Sequence, residues 1–343
     1  MTGVAVIGTG SWGENHARVY KELWLEGVVD TVKICDLNQS RIRDLSSALG
    51  IEGTARYKQI LDDPHIQAVS IATPSSTHYQ IAKEFMEAGK DVLVEKPMTM
   101  DVNEAEQLVE LATQKNRILM AGHIFRYHPA VQELKGRIDE GELGEIQNIV
   151  SNREAYDLPR TDMGVIYALG IHELDMFCYL LGVDYPKSLT ATTSKVYSRD
   201  IEETAIIAMD FGIAKGYAFE SWLLPGYGKR RDLLVIGSKI SARVDYLKPQ
   251  ELSLFDIKII TKNGVPVSVE NKGNHIVALP YTEPLKEELK QFISCVNARK
   301  KPLSDGLVGL RAVVMAEAAL ASAESGKSIN FTKGRAKGAM NTL

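Results

Sequence analysis

The feature that most restricts the fold lies in the first thirteen residues. An apolar run, Gly3-Val4-Ala5-Val6-Ile7, leads into Gly8-Thr9-Gly10-Ser11-Trp12-Gly13, and a helical pattern over residues 12–24 follows. A glycine triplet at this spacing arises by chance in many chains. Between a strand and a helix it has a mechanical reading. Gly8 permits a tight turn, Gly10 lets the backbone approach a pyrophosphate, and Gly13 lets the helix pack close to the sheet. The helix N-terminus then offers N–H groups and the positive end of a dipole to phosphates. Ser11 and Trp12 belong to the same candidate dinucleotide contact.

The next hundred residues repeat the strand–helix rhythm. Strands are predicted over residues 31–36, 68–72, 91–95 and 118–121, and helices over 40–49, 78–88 and 103–115. Such alternation implies βαβ units and a doubly wound parallel sheet, the Rossmann arrangement. Asp36 ends the second strand, where a carboxylate accepts hydrogen bonds from the adenine ribose and repels a 2′-phosphate, so NAD is favoured over NADP. Its structural alternative is a cap on the following helix. Thr73, Pro74 and His78 follow the third clear strand, at the carboxyl ends where ligands bind. For His78, capping or core packing competes equally with a cofactor contact. Glu95-Lys96-Pro97 ends an apolar strand. A lysine there, beside a nicotinamide, can hydrogen-bond a substrate hydroxyl and help move its proton. Proline after it fixes the loop, and a cis bond is one way to do so.

The rhythm changes after Gly122. A helix near residues 129–139, a strand over 146–153 and a long helix within 163–181 precede several strands of period-two alternation between 187 and 269. Helices at 283–296 and 306–324 close the pattern. This reads as an α+β domain with a large, mostly antiparallel open sheet. The chain has 343 residues, beyond the roughly 250–300 at which single cores stop growing. The expected division is therefore 1–122 for an NAD-binding Rossmann domain, 123–330 for a substrate-binding and oligomerisation domain, and 331–343 for a loose basic tail. Charged residues make up 24% and the formal net charge is −4, which argues against nucleic acid as a partner. Cys35, Cys178 and Cys295 form no metal-like spacing, so no metal site is expected. They read as buried thiols in a reducing cytoplasm. No apolar run is read as approaching the ~20 residues of a membrane span, and a strand starting almost at Met1 leaves no room for a signal peptide.

His172 lies on the predicted helix within Gly170-Ile171-His172-Glu173-Leu174-Asp175. Histidine titrates near neutrality and suits an alcohol proton. Taken in order, GTGSWG, Asp36, ATPSSTH, EKP, Gly122-His123-Ile124-Phe125-Arg126-Tyr127-His128-Pro129 and GIHELD resemble the Gfo/Idh/MocA oxidoreductase family, over residues 3 to about 330. The resemblance implies an enzyme acting on CH–OH groups of sugars or cyclitols, with Lys96 and His172 in catalysis, and homodimers or homotetramers formed through the outer face of the large sheet. One departure stands out. The family pattern places an aspartate one helical turn before the histidine, and here that position is Ala168.

Within the family, Asn152-Arg153, 162–166, 221–225 and 229–231 are similar to a branch that oxidises the 3-hydroxyl of UDP-N-acetylhexosamines. Arg153, Arg160, Lys229 and Arg230 would neutralise a diphosphate. Tyr127 or Trp222 would stack on a uracil or sugar face, and Arg126 completes the candidate substrate contacts. For these residues, solvated surface charge and core packing are equally weighted alternatives. Two other functions stay open. One is the same chemistry on a free polyol such as myo-inositol or glucose. The other is a non-catalytic NAD-binding sensor, which only Ala168 supports.

Overall fold

Six strands and the helices between them build the first of two units. In chain order they are β1 (Thr2–Ile7), α1 (Ser11–Leu25), β2 (Val29–Cys35), α2 (Gln39–Leu49), β3 (Glu52–Thr54), α3 (Tyr57–Leu61), β4 (Ala68–Ile71), α4 (His78–Glu87), β5 (Asp91–Glu95), α5 (Val102–Lys115) and β6 (Leu119–Gly122). These coordinates come from a computed structural model that describes residues 2–226 and 228–331. All six strands run parallel, in the order β3-β2-β1-β4-β5-β6. The order reverses direction between β1 and β4, the switch point at which doubly wound sheets open a crevice for ligands. β1, β4 and β5 are buried along their whole length, as a sheet covered on both faces requires. Asn38 caps α2 by accepting from Ser40 and Arg41 N–H, and Asp101 caps α5 by accepting from Glu104 N–H. Gly50 and Asn116 end those helices in the left-handed conformation.

The second unit begins with α6 (Pro129–Asp139) and β7 (Ile146–Glu154). A π-turn at Ile166–Gly170 runs into α7 (Ile171–Leu181), followed by β8 (Ser188–Ser194), β9 (Thr204–Asp210), β10 (Lys215–Ser221), β11 (Arg230–Gly237), β12 (Ser241–Asp245), β13 (Glu251–Lys262) and β14 (Val265–Ala278). After α8 (Pro284–Ala298) and α9 (Gly306–Ser325), the short β15 (Ile329–Asn330) joins the same sheet. The nine strands are ordered β14-β13-β12-β11-β7-β10-β9-β8-β15. Only β7 and β10 pair in parallel; the other neighbours are antiparallel. Ala205, Ile207 and Met209 are buried on β9 while their neighbours face outward. α7 packs close on β10, where a Cβ at Gly216 would lie 2.6 Å from the Phe177 ring. The β13–β14 hairpin closes through Asn263 and Gly264, both at positive φ, as a tight hairpin turn demands.

Two expectations need correction. Residues 283–313 group with the first unit, and the second comprises 128–282 together with the residues from 314 on. The reason is packing: Leu285, Leu289, Phe292, Ile293 and Val296 of α8 share a core cluster with Val4, Val6, Tyr20 and Leu23. Between α2 and β4, β3 and α3 are too short for apolar periodicity to announce them. α9 is also apolar enough over 20 residues, at a hydropathy of 1.5, to pass for a membrane span by length and composition. Scattered Arg311 and Glu317 masked this in the sequence, and 67% of its most apolar stretch is buried in the chain. In the expected tail, Phe331 stacks on Tyr185; residues 332–343 lie outside the described residues.

Candidate active site

The turn between β1 and α1 is one that only glycine can make at two of its three key positions. Gly8 has φ +89°, and a Cβ there would lie 2.8 Å from the Ala72 carbonyl oxygen. A Cβ at Gly13 would sit 1.8 Å from the Gly8 carbonyl oxygen. Gly10 is different: a Cβ there would meet nothing within 4 Å. Gly10 is also the N-cap of α1, and no side chain caps that helix. An open cradle thus lies in front of uncapped helix N–H groups, which fits a dinucleotide pyrophosphate.

Asp36 closes the turn from the side. Its Oδ2 accepts from Thr9 N–H and Oγ1–H at 2.7 and 2.9 Å, and its Oδ1 accepts from Asn38 N–H at 2.8 Å. Burial pushes its pKa up, but these hydrogen bonds and the charge of Arg41 hold it below the usual carboxylate range. The ionised carboxylate keeps lone pairs for ribose hydroxyls.

Glu95 is the hub of the unit. Its Oε1 accepts from the Trp12 indole N–H at 2.7 Å and faces His16 Nε2 at 3.0 Å; its Oε2 accepts from Lys96 N–H at 3.2 Å. Glycine at 122 leaves room for the carboxylate, since a Cβ there would lie 2.7 Å from Glu95 Oε1. Burial opposes ionisation, yet the bond and charge of His16, then Trp12 and Lys96, hold Glu95 below the ordinary glutamate range. Glu288 on α8 is the counterpart. It is fully buried, neither of its oxygens has a partner among the described residues, and burial followed by the Glu95 charge pushes its pKa well up. Lys96 leads into a cis peptide bond with Pro97. His78, 1% exposed, sets Nδ1 2.8 Å from the Pro97 carbonyl and Nε2 2.9 Å from the Thr73 carbonyl. Burial outweighs both carbonyls and lowers its pKa. The ring ties the loop after β4 to the loop after β5. Thr73 Oγ1 accepts from Thr77. Arg126 and Tyr127 are interior residues of this unit. Arg126 donates to the Leu303 carbonyl, and the Tyr127 hydroxyl bonds Gln291 and Ser304.

In the second unit, His172 is 8% exposed and follows the π-turn that contains Ala168. The π-turn is seated on a carboxylate: Ile166 N–H donates to Glu202 Oε1 at 3.1 Å, and a Cβ at Gly164 would collide with that carboxylate. Beside it, β11, β7 and β10 align Arg231, Arg153 and Glu220 across the sheet. Arg153 Nε and Nη2 donate to Glu173 Oε1 on α7 at 2.9 and 2.6 Å, and both side chains are interior. Arg153 therefore neutralises a buried carboxylate instead of facing a phosphate. Glu220 is fully buried with neither oxygen bonded among the described residues; burial, then Glu173, pushes its pKa well up. Burial and the nearby Arg153 bring Arg231 down to about 10.

The remaining sequence candidates are scattered. Trp222 is 6% exposed and packs in the core. Arg160 forms a two-pronged pair with Asp162 at the surface, and Arg230 bridges Asp232 and Glu154. Lys229 is exposed. All three cysteines are buried, and no cluster among the described residues could hold a metal ion. Sequence reasoning missed His16, Glu202 and Glu288. Only His16 left a signal, since Trp12 and His16 are four apart on one helix face.

Two family models match the chain. An oxidoreductase family with an NAD-binding Rossmann fold covers residues 2–123, and the C-terminal alpha/beta domain of the same family covers 135–331. The chain is 28% identical over 313 residues to a UDP-N-acetylglucosamine 3-dehydrogenase from Acidithiobacillus ferrooxidans, covering 91% of this chain and 94% of the relative. A solved structure of such an enzyme from that organism superposes with a TM-score of 0.79 at 26% identity, over 94% and 97% of the two chains. A myo-inositol 2-dehydrogenase from Thermotoga maritima is 25% identical over 96% of this chain and 98% of the relative. A levoglucosan dehydrogenase in complex with NADH and levoglucosan shares the fold, with a TM-score of 0.82 at 21% identity over 96% and 99%. The first unit is an NAD-binding domain, and its open cradle and ionised Asp36 fit that cofactor.

Proposed function

We propose that this chain, which belongs to the Gfo/Idh/MocA oxidoreductase family in both its N- and C-terminal domains, moves hydride reversibly between a ring carbinol carbon of a sugar and nicotinamide. Bound NAD supplies the hydride acceptor. Gly8, Gly10, Ser11, Trp12 and Gly13 hold its pyrophosphate, Asp36 its ribose, and Thr73 and Pro74 lie along it. Lys96 donates a hydrogen bond to the reacting hydroxyl, and His172 receives its proton. The observation that carries this reading is the clamping of Lys96. The residue before it is fixed by Trp12 and His16 through Glu95, and the carbonyl after it faces His78. A lysine held on both sides at the carboxyl end of a central strand suits a catalytic donor more than a solvated charge. With Ala168 before it, His172 works without an aspartate partner at that helical position.

For the substrate, the 28%-identical relative supports the 3-hydroxyl of a UDP-N-acetylhexosamine, with Lys229 and Arg230 toward the diphosphate. An uncharged cyclic sugar or polyol is the second reading. It is favoured by the pairing of Arg153, Arg160 and Arg230 with carboxylates. The enzyme is read as cytoplasmic, from its three free buried cysteines, and as a homodimer or homotetramer. NADH absorbance, followed after adding NAD and UDP-N-acetylglucosamine, glucose or myo-inositol, tests the reaction. Production of NADH from a ring alcohol supports it; silence across a broad alcohol panel with NAD bound would sink it. UDP separates the two substrate classes. Protection from heat denaturation by UDP alone is expected for a nucleotide-sugar enzyme, because a ligand that binds the folded state stabilises it.

A further inference from the structure

A cavity of about 840 Å³ lies wholly within the second unit. It opens where three strands of one direction end. Residues 155–161 follow β7, Leu223 follows β10, and residues 197–203 follow β8. Its size is that of a ligand site. Both walls are fixed by hydrogen bonds. Ala155 N–H donates to Ser221 O, Asp157 N–H to Trp222 O and Leu224 N–H to Ala155 O. On the other side, the Glu203 carboxylate accepts from the N–H groups of Val196, Tyr197 and Ser198 at 2.6, 3.0 and 2.8 Å. The cavity is therefore preformed. The 155–161 wall runs on through Gly164, seated on Glu202, into the π-turn that leads to His172.

The lining has a definite chemistry. Two tyrosines, Tyr156 and Tyr197, are 66% and 73% exposed, so much of each ring is accessible to a ligand. Around them stand two exposed carboxylates, Asp157 and Asp200, against one guanidinium, Arg160, which Asp162 already neutralises. Aromatic faces bind the apolar C–H faces of a sugar ring, and carboxylates accept its hydroxyl hydrogens. A diphosphate would meet like charge.

We propose that this cavity is a subsite for an uncharged sugar ring next to the reacting one, so that the substrate is a glycoside of two or more rings. This rests on the sugar-oxidoreductase reading above and narrows its substrate class. The test uses the full chain loaded with NAD. Calorimetry measures binding of methyl glucoside, cellobiose, maltose, lactose and UDP, and NADH absorbance measures turnover of the same sugars. At least one disaccharide is expected to bind about tenfold more tightly than methyl glucoside, the scale of a stacked ring. Tyr197→Ala and Asp200→Asn, both at exposed loop positions, should each cut that ratio several-fold. Equal binding of mono- and disaccharides, or a ratio untouched by both substitutions, overturns the subsite while sugar turnover keeps the oxidoreductase reading. UDP binding more tightly than every disaccharide, and weakened by Arg160→Met, also overturns it in favour of a nucleotide. No turnover of any sugar overturns both.

Discussion

Glu95 in the first unit and Glu220 in the second are both strand carboxylates enclosed by protein, and their pKa values move in opposite directions. Glu95 is met by an indole N–H, an imidazole nitrogen and a backbone N–H, and it stays ionised. Glu220 lies near two guanidiniums, but no donor reaches its oxygens among the described residues, and burial with the Glu173 charge drives its pKa well up. Directed hydrogen bonds with a facing imidazole hold the first acid ionised, whereas burial with a like charge beside it raises the second. The first arrangement orients a loop with chemistry on it. The second is a foundation beneath the helix that carries His172.

The largest expected effect separates these roles. Lys96→Ala should lower turnover by about 10²- to 10⁴-fold while NAD binding, followed by nicotinamide fluorescence, and thermal stability persist. Unchanged turnover would mean that Lys96 is not the catalytic donor. Arg153→Met should do the reverse, costing about 3–5 kcal/mol of stability by stranding Glu173. Chemical denaturation measures this, and Arg153→Met with Glu173→Met should recover most of it. The glycine turn gives a smaller contrast. Gly13→Ala should destabilise by about 1–3 kcal/mol, as overpacking does. Gly10→Ala should leave the fold alone and weaken NAD binding, because its methyl group projects into the open cradle.

The smallest effect is a pH dependence. Glu288 has a raised folded pKa and so resembles Glu220 more than its neighbour Glu95. Above the unfolded glutamate value of ~4.3, the unfolded chain loses that proton while the folded chain keeps it. Stability therefore declines as pH rises from there toward the raised folded pKa. Glu288→Gln should flatten the decline of stability with pH that begins at the unfolded value of ~4.3. An unaltered slope would mean that Glu288 ionises in the folded state.

The comparison also explains what was legible in the sequence. The parts around Gly8, Asp36 and Glu95 are set by neighbours within a few residues of a strand end, so motif and spacing reveal them. The row Arg231–Arg153–Glu220 exists only through the pairing of β11, β7 and β10. No spacing of positions 153, 220 and 231 announces it, and Arg153 therefore read as a free cation. For Tyr127 and Trp222 the sequence left core and site equally open, because an aromatic in a motif carries no mark of whether it lines a site or fills a core. The parallel sheet and the antiparallel sheet were legible from periodicity. The return of α8 to the first unit was not, because its apolar stripe has no sign of which core it completes.

That return has a consequence for how the protein is made. A ribosome releases β1 through β6 long before Leu285, Leu289 and Phe292 exist. The nascent first unit therefore waits, with an uncovered apolar patch, while more than 150 intervening residues emerge. The larger part of the second unit, 128–282, is in effect an insertion synthesised inside an unfinished host. A chain stopped after residue 282 should be a client of chaperones, and one carried only a few turns further should not.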